Sequence, residues 1–150
     1  MRPRHALFTF LTAAVLAFAC AGDPNHFEDE NVGLPCGSAA DCYVDINPAL
    51  IRGDILCMDK VPGGYCTHYC ETDADCCAVD GECLTDHRIV CTPYENDKQK
   101  RCMLACEAAD LYYDDYQYEG TEYCTHFLSE GWNCSSSGGG SENRDICKPN

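Results

Sequence analysis

Fifteen cysteines in 150 residues carry most of the chemistry this chain could perform. No pair stands as Cys-x2-Cys, which removes the thioredoxin-type redox motif and the usual knuckle of a structural zinc site. An odd count leaves one thiol over in an oxidising compartment, and Cys20 lies apart from the rest, at the end of an apolar leader. Setting it aside leaves an even set for disulfide pairing: Cys36, Cys42, Cys57, Cys66, Cys70, Cys76, Cys77, Cys83, Cys91, Cys102, Cys106, Cys124, Cys134 and Cys147. Adjacent Cys76 and Cys77 cannot easily bond to each other, so each is expected to reach a different partner. Connectivity is left open by the spacing alone.

The other reactive side chains form no catalytic pattern. His26, His68, His87 and His126 follow the leader without a His-x3-His or His-Glu-x2-His arrangement, and read as surface histidines. There is no Gly-x-Ser-x-Gly nucleophile elbow, and the serines gather in the flexible stretch Ser135–Ser141. With 25 acidic residues, carboxylate pairs arise by chance. The expectation is therefore no enzyme, no catalytic residue, no cofactor and no metal site. Weak calcium binding is the one metal alternative, because Asp73, Asp75, Asp80 and Glu82 lie close together. Cys77 and Ala78 break the EF-hand pattern counted from Asp73. Asn133-Cys134-Ser135 matches a glycosylation sequon, which matters only in a eukaryotic host.

One segment has the composition of a contact surface. From Asp110 to Tyr123 the string DLYYDDYQYEGTEY sets tyrosines among carboxylates, and tyrosine supplies large amphipathic contact area at low entropic cost. Tyr112, Tyr113, Asp114, Asp115, Tyr116 and Tyr118 are the candidate binding surface. The plainer alternative is that Tyr112, Tyr116 and Tyr123 cover a small core while the acids are solvated.

The elements that must position these residues begin with a leader. Arg2 and Arg4 precede the uncharged apolar run Ala6–Ala19, the layout of an export signal over 1–19. The run is shorter than a spanning helix requires. Residues 20–33 are polar and acidic and read as a flexible tether. Three cysteine-rich units follow. Cys36-Gly-Ser-Ala-Ala-Asp-Cys42 matches Cys70-Glu-Thr-Asp-Ala-Asp-Cys76, and Cys106-Glu-Ala-Ala-Asp110 begins a third copy without the second cysteine. Units at 34–69 and 70–105 and a diverged unit at 106–150 are the simplest organisation. The fold class expected is a small disulfide-rich protein with little regular secondary structure, in two to three cysteine-knotted units. Gly63-Gly64 and Asp80-Gly81 mark turns that could close short β-hairpins. One short helix is expected near 100–113, where Cys102 and Cys106 would project from the same face. Few leucines, isoleucines and valines follow Cys20, so covalent cross-links must replace part of a normal core.

All acidic residues lie beyond Cys20 and two of the ten basic ones precede it, so the processed chain is still more acidic than the −15 of the whole. That charge excludes nucleic acid and anionic headgroups as partners, and favours cations, basic proteins or neutral glycans.

Leu16-Ala17-Phe18-Ala19-Cys20 resembles a bacterial lipobox, with Cys20 as the lipidated residue; Ala17 and Phe18 depart from the leucine and small residue the pattern favours. Cleavage that discards Cys20 leaves the same even set. Gly64, Cys66, Thr67, Cys70, Asp73, Asp75 and Cys76 fit a segment, Gly-x-Cys-Thr-x2-Cys-x2-Asp-x-Asp-Cys. In this respect the chain resembles the cysteine-rich lipoproteins of myxobacteria and related delta-proteobacteria, over about residues 1–110. Members are largely of unknown function, so the resemblance implies location and disulfide content. The Cys76-Cys77 doublet is also similar to knottins and four-disulfide-core inhibitors, but the flanking five-residue spacings complete neither pattern. The reading that follows is an exported cell-envelope protein, at the bacterial outer membrane or cell surface through a lipid anchor only, acting as a binding or structural module for an unknown protein or glycan. The alternative is a secreted disulfide-rich inhibitor or toxin-like effector.

Overall fold

The computed structural model describes residues 31–83, 87–95, 97–138 and 140–150. The export segment, Cys20, His26 and most of the tether lie outside them. Short antiparallel hairpins carry the cysteines. In the first, β1 (Ile55–Cys57) pairs with β2 (Cys66–His68); in the second, β3 (Ile89–Pro93) pairs with β4 (Lys100–Leu104). A two-residue pair follows, β5 (Tyr112–Tyr113) with β6 (Tyr116–Gln117), then the helix α1 (Gly120–Phe127), and finally β7 (Trp132–Ser136) with β8 (Asp145–Pro149).

Seven disulfides follow one rule three times over. In 34–69 the bridges are Cys36–Cys57 and Cys42–Cys66. In 70–105 they are Cys70–Cys91 and Cys76–Cys102, with Cys77–Cys83 closing a small extra loop. In 106–150 they are Cys106–Cys134 and Cys124–Cys147. In each unit the two downstream cysteines face each other across a hairpin: Cys57 opposite Cys66, Cys91 opposite Cys102, Cys134 opposite Cys147. Neither bonds to its neighbour; each reaches back to an upstream cysteine. Corresponding bridges also have matching spans, with Cα–Cα separations of 6.0, 5.8 and 5.8 Å in one set and 5.3, 5.4 and 5.3 Å in the other.

The repeated aspartate has a structural reason. Asp41 Oδ2 accepts the backbone N–H groups of Gly37 and Ser38, and Asp75 Oδ2 accepts those of Glu71 and Thr72. Asp110 Oδ2 accepts from Glu107 in the same way. Each carboxylate closes the turn after the unit's first cysteine, and in the first two units a single 3-10 turn, Ala39–Asp41 or Asp73–Asp75, then delivers the second cysteine. Backbone donation holds the Asp41 carboxyl below its usual range; donation from Thr72, an ion pair with Arg52 and donation from Glu71 bring Asp75 to about 2.

Among the described residues no bridge crosses from one unit to the next; non-covalent contacts join them. Thr67 Oγ1 donates to the Cys102 carbonyl at 2.7 Å, Glu95 donates its N–H to the Ser137 carbonyl, and isolated antiparallel bridges pair Tyr69 with Arg101 and Ala105 with Ile146. Tyr65 of the first unit packs its ring 5.3 Å from Trp132 of the third, and its hydroxyl accepts the Leu104 N–H of the second. Tyr65, Met103, Leu104, Tyr123, Phe127, Trp132 and Ile146 are fully buried and join the units in one core.

Three expectations are corrected. The segment 100–113 is not a helix: Lys100–Leu104 is β4, buried from Arg101 onward, and Cys102 and Cys106 serve different units. Extended backbone lets Cys102 stand opposite Cys91 while reaching Cys76, and pairing with β-branched Ile89, Val90 and Thr92 outweighs helix propensity. The helix lies instead at Gly120–Phe127, where Glu119 and Glu122 form a capping box and Tyr123, Cys124 and Phe127 turn inward. Gly63-Gly64 does close the β1–β2 hairpin, whereas Asp80-Gly81 turns within the Cys77–Cys83 loop with no strand on either side among the described residues. The packed fold also starts before residue 34: Asn31 and Val32 are buried and Gly33 donates to the Cys66 carbonyl.

Gly64 shows how tightly the hairpin sits on its bridge. Its φ is +76°, and a Cβ there would lie 2.0 Å from the Cys36 carbonyl oxygen. Gly63, at φ +77°, has open space around it. In urea unfolding, Gly63→Ala is expected to cost roughly 1–2 kcal/mol for the left-handed backbone alone. Gly64→Ala is expected to cost on the order of 3 kcal/mol or more, because overlap adds to that strain.

Candidate interaction surface

The tyrosine-rich segment folds as a hairpin standing on an aromatic base. Tyr113 lies opposite Tyr116, and the two residues between them, Asp114 and Asp115, have φ of 47° and 62°. Two consecutive left-handed residues make the tight turn whose twist suits a two-residue hairpin, and aspartate tolerates that backbone better than most residues. Tyr118 closes the base by donating its N–H to the Leu111 carbonyl. Tyr113 packs 4.4 Å from His87 and 5.3 Å from Phe127; Tyr118 packs against Tyr123, His126 and Phe127.

The six candidate residues therefore divide into two groups. Tyr113 and Tyr118 are half-buried and hold the hairpin to α1. Tyr112 (59 % exposed), Asp114, Asp115 and Tyr116 (51 % exposed) face solvent. Register places Tyr112 and Tyr116 on opposite faces of the hairpin. Each exposed phenol donates to a carboxylate, Tyr112 to Asp115 and Tyr116 to Glu122, both at 3.2 Å. Tyr123, the third ring of the core-covering alternative, is the one that is buried.

Elsewhere the reactive residues are committed. Asp73 accepts the Cys91 N–H and pairs with Arg144; Asp75 caps its turn and pairs with Arg52; Glu82 is buried on His68. These carboxylates point to separate partners and do not converge as a calcium shell would require. Among the described residues, the groups close enough to hold a metal are triples of cysteines, all of them in disulfides. Asn133 lies in β7 and donates to Asn150.

Two histidines read as surface residues are interior. His87 is buried in the aromatic base, and His68 is wholly buried against a wholly buried Glu82, with Nε2 2.5 Å from Oε1. His68 Nδ1 faces the Tyr69 and Arg52 carbonyls at 2.8 and 3.2 Å. Carbonyls only accept, so Nδ1 carries a proton, and a second is shared between Nε2 and the carboxylate. Glu82 Oε2 accepts from Val79 N–H, and Tyr43, whose buried hydroxyl has no hydrogen-bond partner among the described residues, sets its ring 5.7 Å from the imidazole. Burial works against the His68 charge, but hydrogen bonds to Glu82 and Tyr69 outweigh it and raise the pKa. The sequence signal for this is slight: His68 lies between Cys66 and Cys70, where the flanking bridges enclose Thr67 and His68 and leave Tyr69 half-buried.

With this geometry in place, the chain is a disulfide-rich small protein of hairpins and one short helix that carries an exposed tyrosine hairpin. Comparison with protein-family profiles, curated proteins and solved structures returns no match. No helix among the described residues is long and apolar enough to cross a membrane, and seven disulfides suit an oxidising compartment.

The buried pair makes stability depend on pH in a definite direction. An unfolded histidine loses its proton near pH 6.5, whereas folded His68 keeps it to higher pH. Its contribution is complete below about pH 6.5 and is lost as pH rises through the raised folded value, with a slope of up to ~1.4 kcal/mol per pH unit. Denaturant midpoints of the oxidised protein are expected to fall as pH rises above about 6.5, and Glu82→Gln, which can still hydrogen-bond to neutral His68, is expected to flatten that fall.

Proposed function

We propose that this protein is an exported binding module of the cell envelope, held at the membrane by lipid on Cys20, with the β5–β6 hairpin as its contact surface. The observation that carries this reading is the pairing of a cross-linked scaffold with solvent-facing Tyr112 and Tyr116 on a tight two-aspartate turn. Exposed aromatic rings on a fixed support lose little entropy when a partner covers them. The hairpin lies in the last unit, between Cys106 and Cys124, far along the chain from the leader. A polar tether from Cys20 to about residue 30 would hold the folded part off the bilayer.

Intact mass and free-thiol count on protein from membrane and medium fractions of the native host test the anchor. The expected species is membrane-bound, carries a diacyl or triacyl mass on Cys20, and has no free thiol. A soluble form lacking Cys20 would replace the anchored module with a secreted effector. In parallel, Tyr112→Ser with Tyr116→Ser is expected to leave the bridges and far-ultraviolet circular dichroism unchanged while abolishing cross-linking to envelope components. Undiminished cross-linking would remove the hairpin as the contact surface.

A further inference from the structure

We propose that the β5–β6 hairpin receives a lysine- and arginine-rich polypeptide segment, seating one basic side chain at Tyr112–Asp115 and another at Tyr116–Glu122. The proposal rests on the reading of this hairpin as a contact surface and adds the chemistry of its partner.

The carrying observation is a contrast in how this acidic chain disposes of its carboxylates. At the junctions between units they are neutralised: Asp75 by Arg52, Asp110 and Glu107 by Arg88, Asp73 by Arg144, and Glu142 by Lys100; within units Arg144 also pairs with Glu107 and Arg101 with Asp97. Around the hairpin none is. Asp114, Asp115, Glu119 and Glu122 are exposed, and among the described residues no lysine, arginine or histidine forms an ion pair with them. The stretch from Asp110 to Tyr123 contains no basic residue. The field this creates is felt by the phenols: the hydrogen bond Tyr116 donates to Glu122, and that carboxylate's charge, raise the Tyr116 pKa, and burial together with Glu122 and Asp114 raises that of Tyr118.

Geometry turns this charge into two receptors. In each, a phenol hydroxyl is held by a carboxylate while the ring stays open to solvent. An ammonium or guanidinium over the ring face meets the negative face of the π system and the carboxylate together. The two receptors lie on opposite faces of a narrow hairpin, so one chain bent across it can fill both, whereas a single small cation can fill only one. Tyr116 is further steadied by Tyr118, 4.6 Å away, which in turn packs on His126. His126 is the one basic residue that α1 places beside this base.

The test uses the oxidised full chain and a fluorescent octapeptide alternating lysine and serine, with glutamate–serine and glycine–serine octapeptides as controls. Fluorescence polarisation is expected to show binding of the lysine peptide only, weakening as salt rises. Asp115→Asn with Glu122→Gln is expected to weaken it about 5- to 10-fold, and Tyr112→Leu with Tyr116→Leu by a similar factor. Asp59→Asn with Asp80→Asn removes the same charge from exposed positions elsewhere and is expected to change affinity less than about twofold. Equal loss in the remote pair would overturn the proposal, because affinity would then follow net charge alone. If the tyrosine pair abolishes envelope cross-linking while the lysine peptide fails to bind, or if a neutral glycan binds without salt dependence, the contact surface stands and the cationic partner is overturned.

Discussion

Everything in this protein depends on two cysteines that face each other across a hairpin and do not bond. Cys57 and Cys66, Cys91 and Cys102, and Cys134 and Cys147 are register partners, yet each reaches back to a cysteine upstream. A bond between hairpin partners would close only the local turn. The interlaced pairing closes longer loops, with separations of 21 to 28 residues, and each such closure removes on the order of 3 kcal/mol of unfolded-state freedom. It also clamps the upstream turn onto both strands. A two-stranded sheet of three to five residues has little stability of its own, so the bridges are what make these hairpins rigid.

The covalent lattice stops at the unit boundary, and a different kind of force takes over there. Between units the contacts are backbone hydrogen bonds, arginine–carboxylate pairs, the Tyr65–Trp132 contact and the buried His68–Glu82 pair. Such contacts stack the units without cross-linking them. Salt and pH therefore act on the junctions more than on the units themselves. His68 illustrates the cost of this solution: an ion pair with zero exposure is tolerable only because both ring nitrogens and both carboxylate oxygens find partners.

Acidity serves two roles in the same chain. Asp41, Asp75 and Asp110 are internal fasteners, each bound to backbone N–H groups after a unit's first cysteine. Asp114, Asp115, Glu119 and Glu122 are spent on nothing internal beyond a helix cap and two phenol contacts. The third unit supplies the room for this second role. Its second cysteine is displaced to Cys124, and the hairpin and the start of α1 occupy the interval where the other units have a single 3-10 turn.

The cysteine count, the absence of Cys-x2-Cys, the repeated Cys-x5-Cys step with its aspartate, and the glycine pair at 63–64 are local features, and they sufficed to indicate a bridged, hairpin-rich fold in repeated units. The tyrosine segment was equally visible, because composition alone marks it. Tertiary structure decided what depends on distant partners. Lys100–Leu104 has the residues of a helix and became a strand because β3 and Cys76 lie on either side of it. Tyr113 and Tyr112 are adjacent and chemically identical, yet one became support and the other surface through the packing of His87 and Phe127. His68 became half of a buried pair because the Cys77–Cys83 loop carries Glu82 onto it from 14 residues away. The sequence by itself determined which groups can bond, since bonding is a property of residue type; only the folded chain determined which of them meet, since that is set by closure of loops whose ends the sequence does not mark.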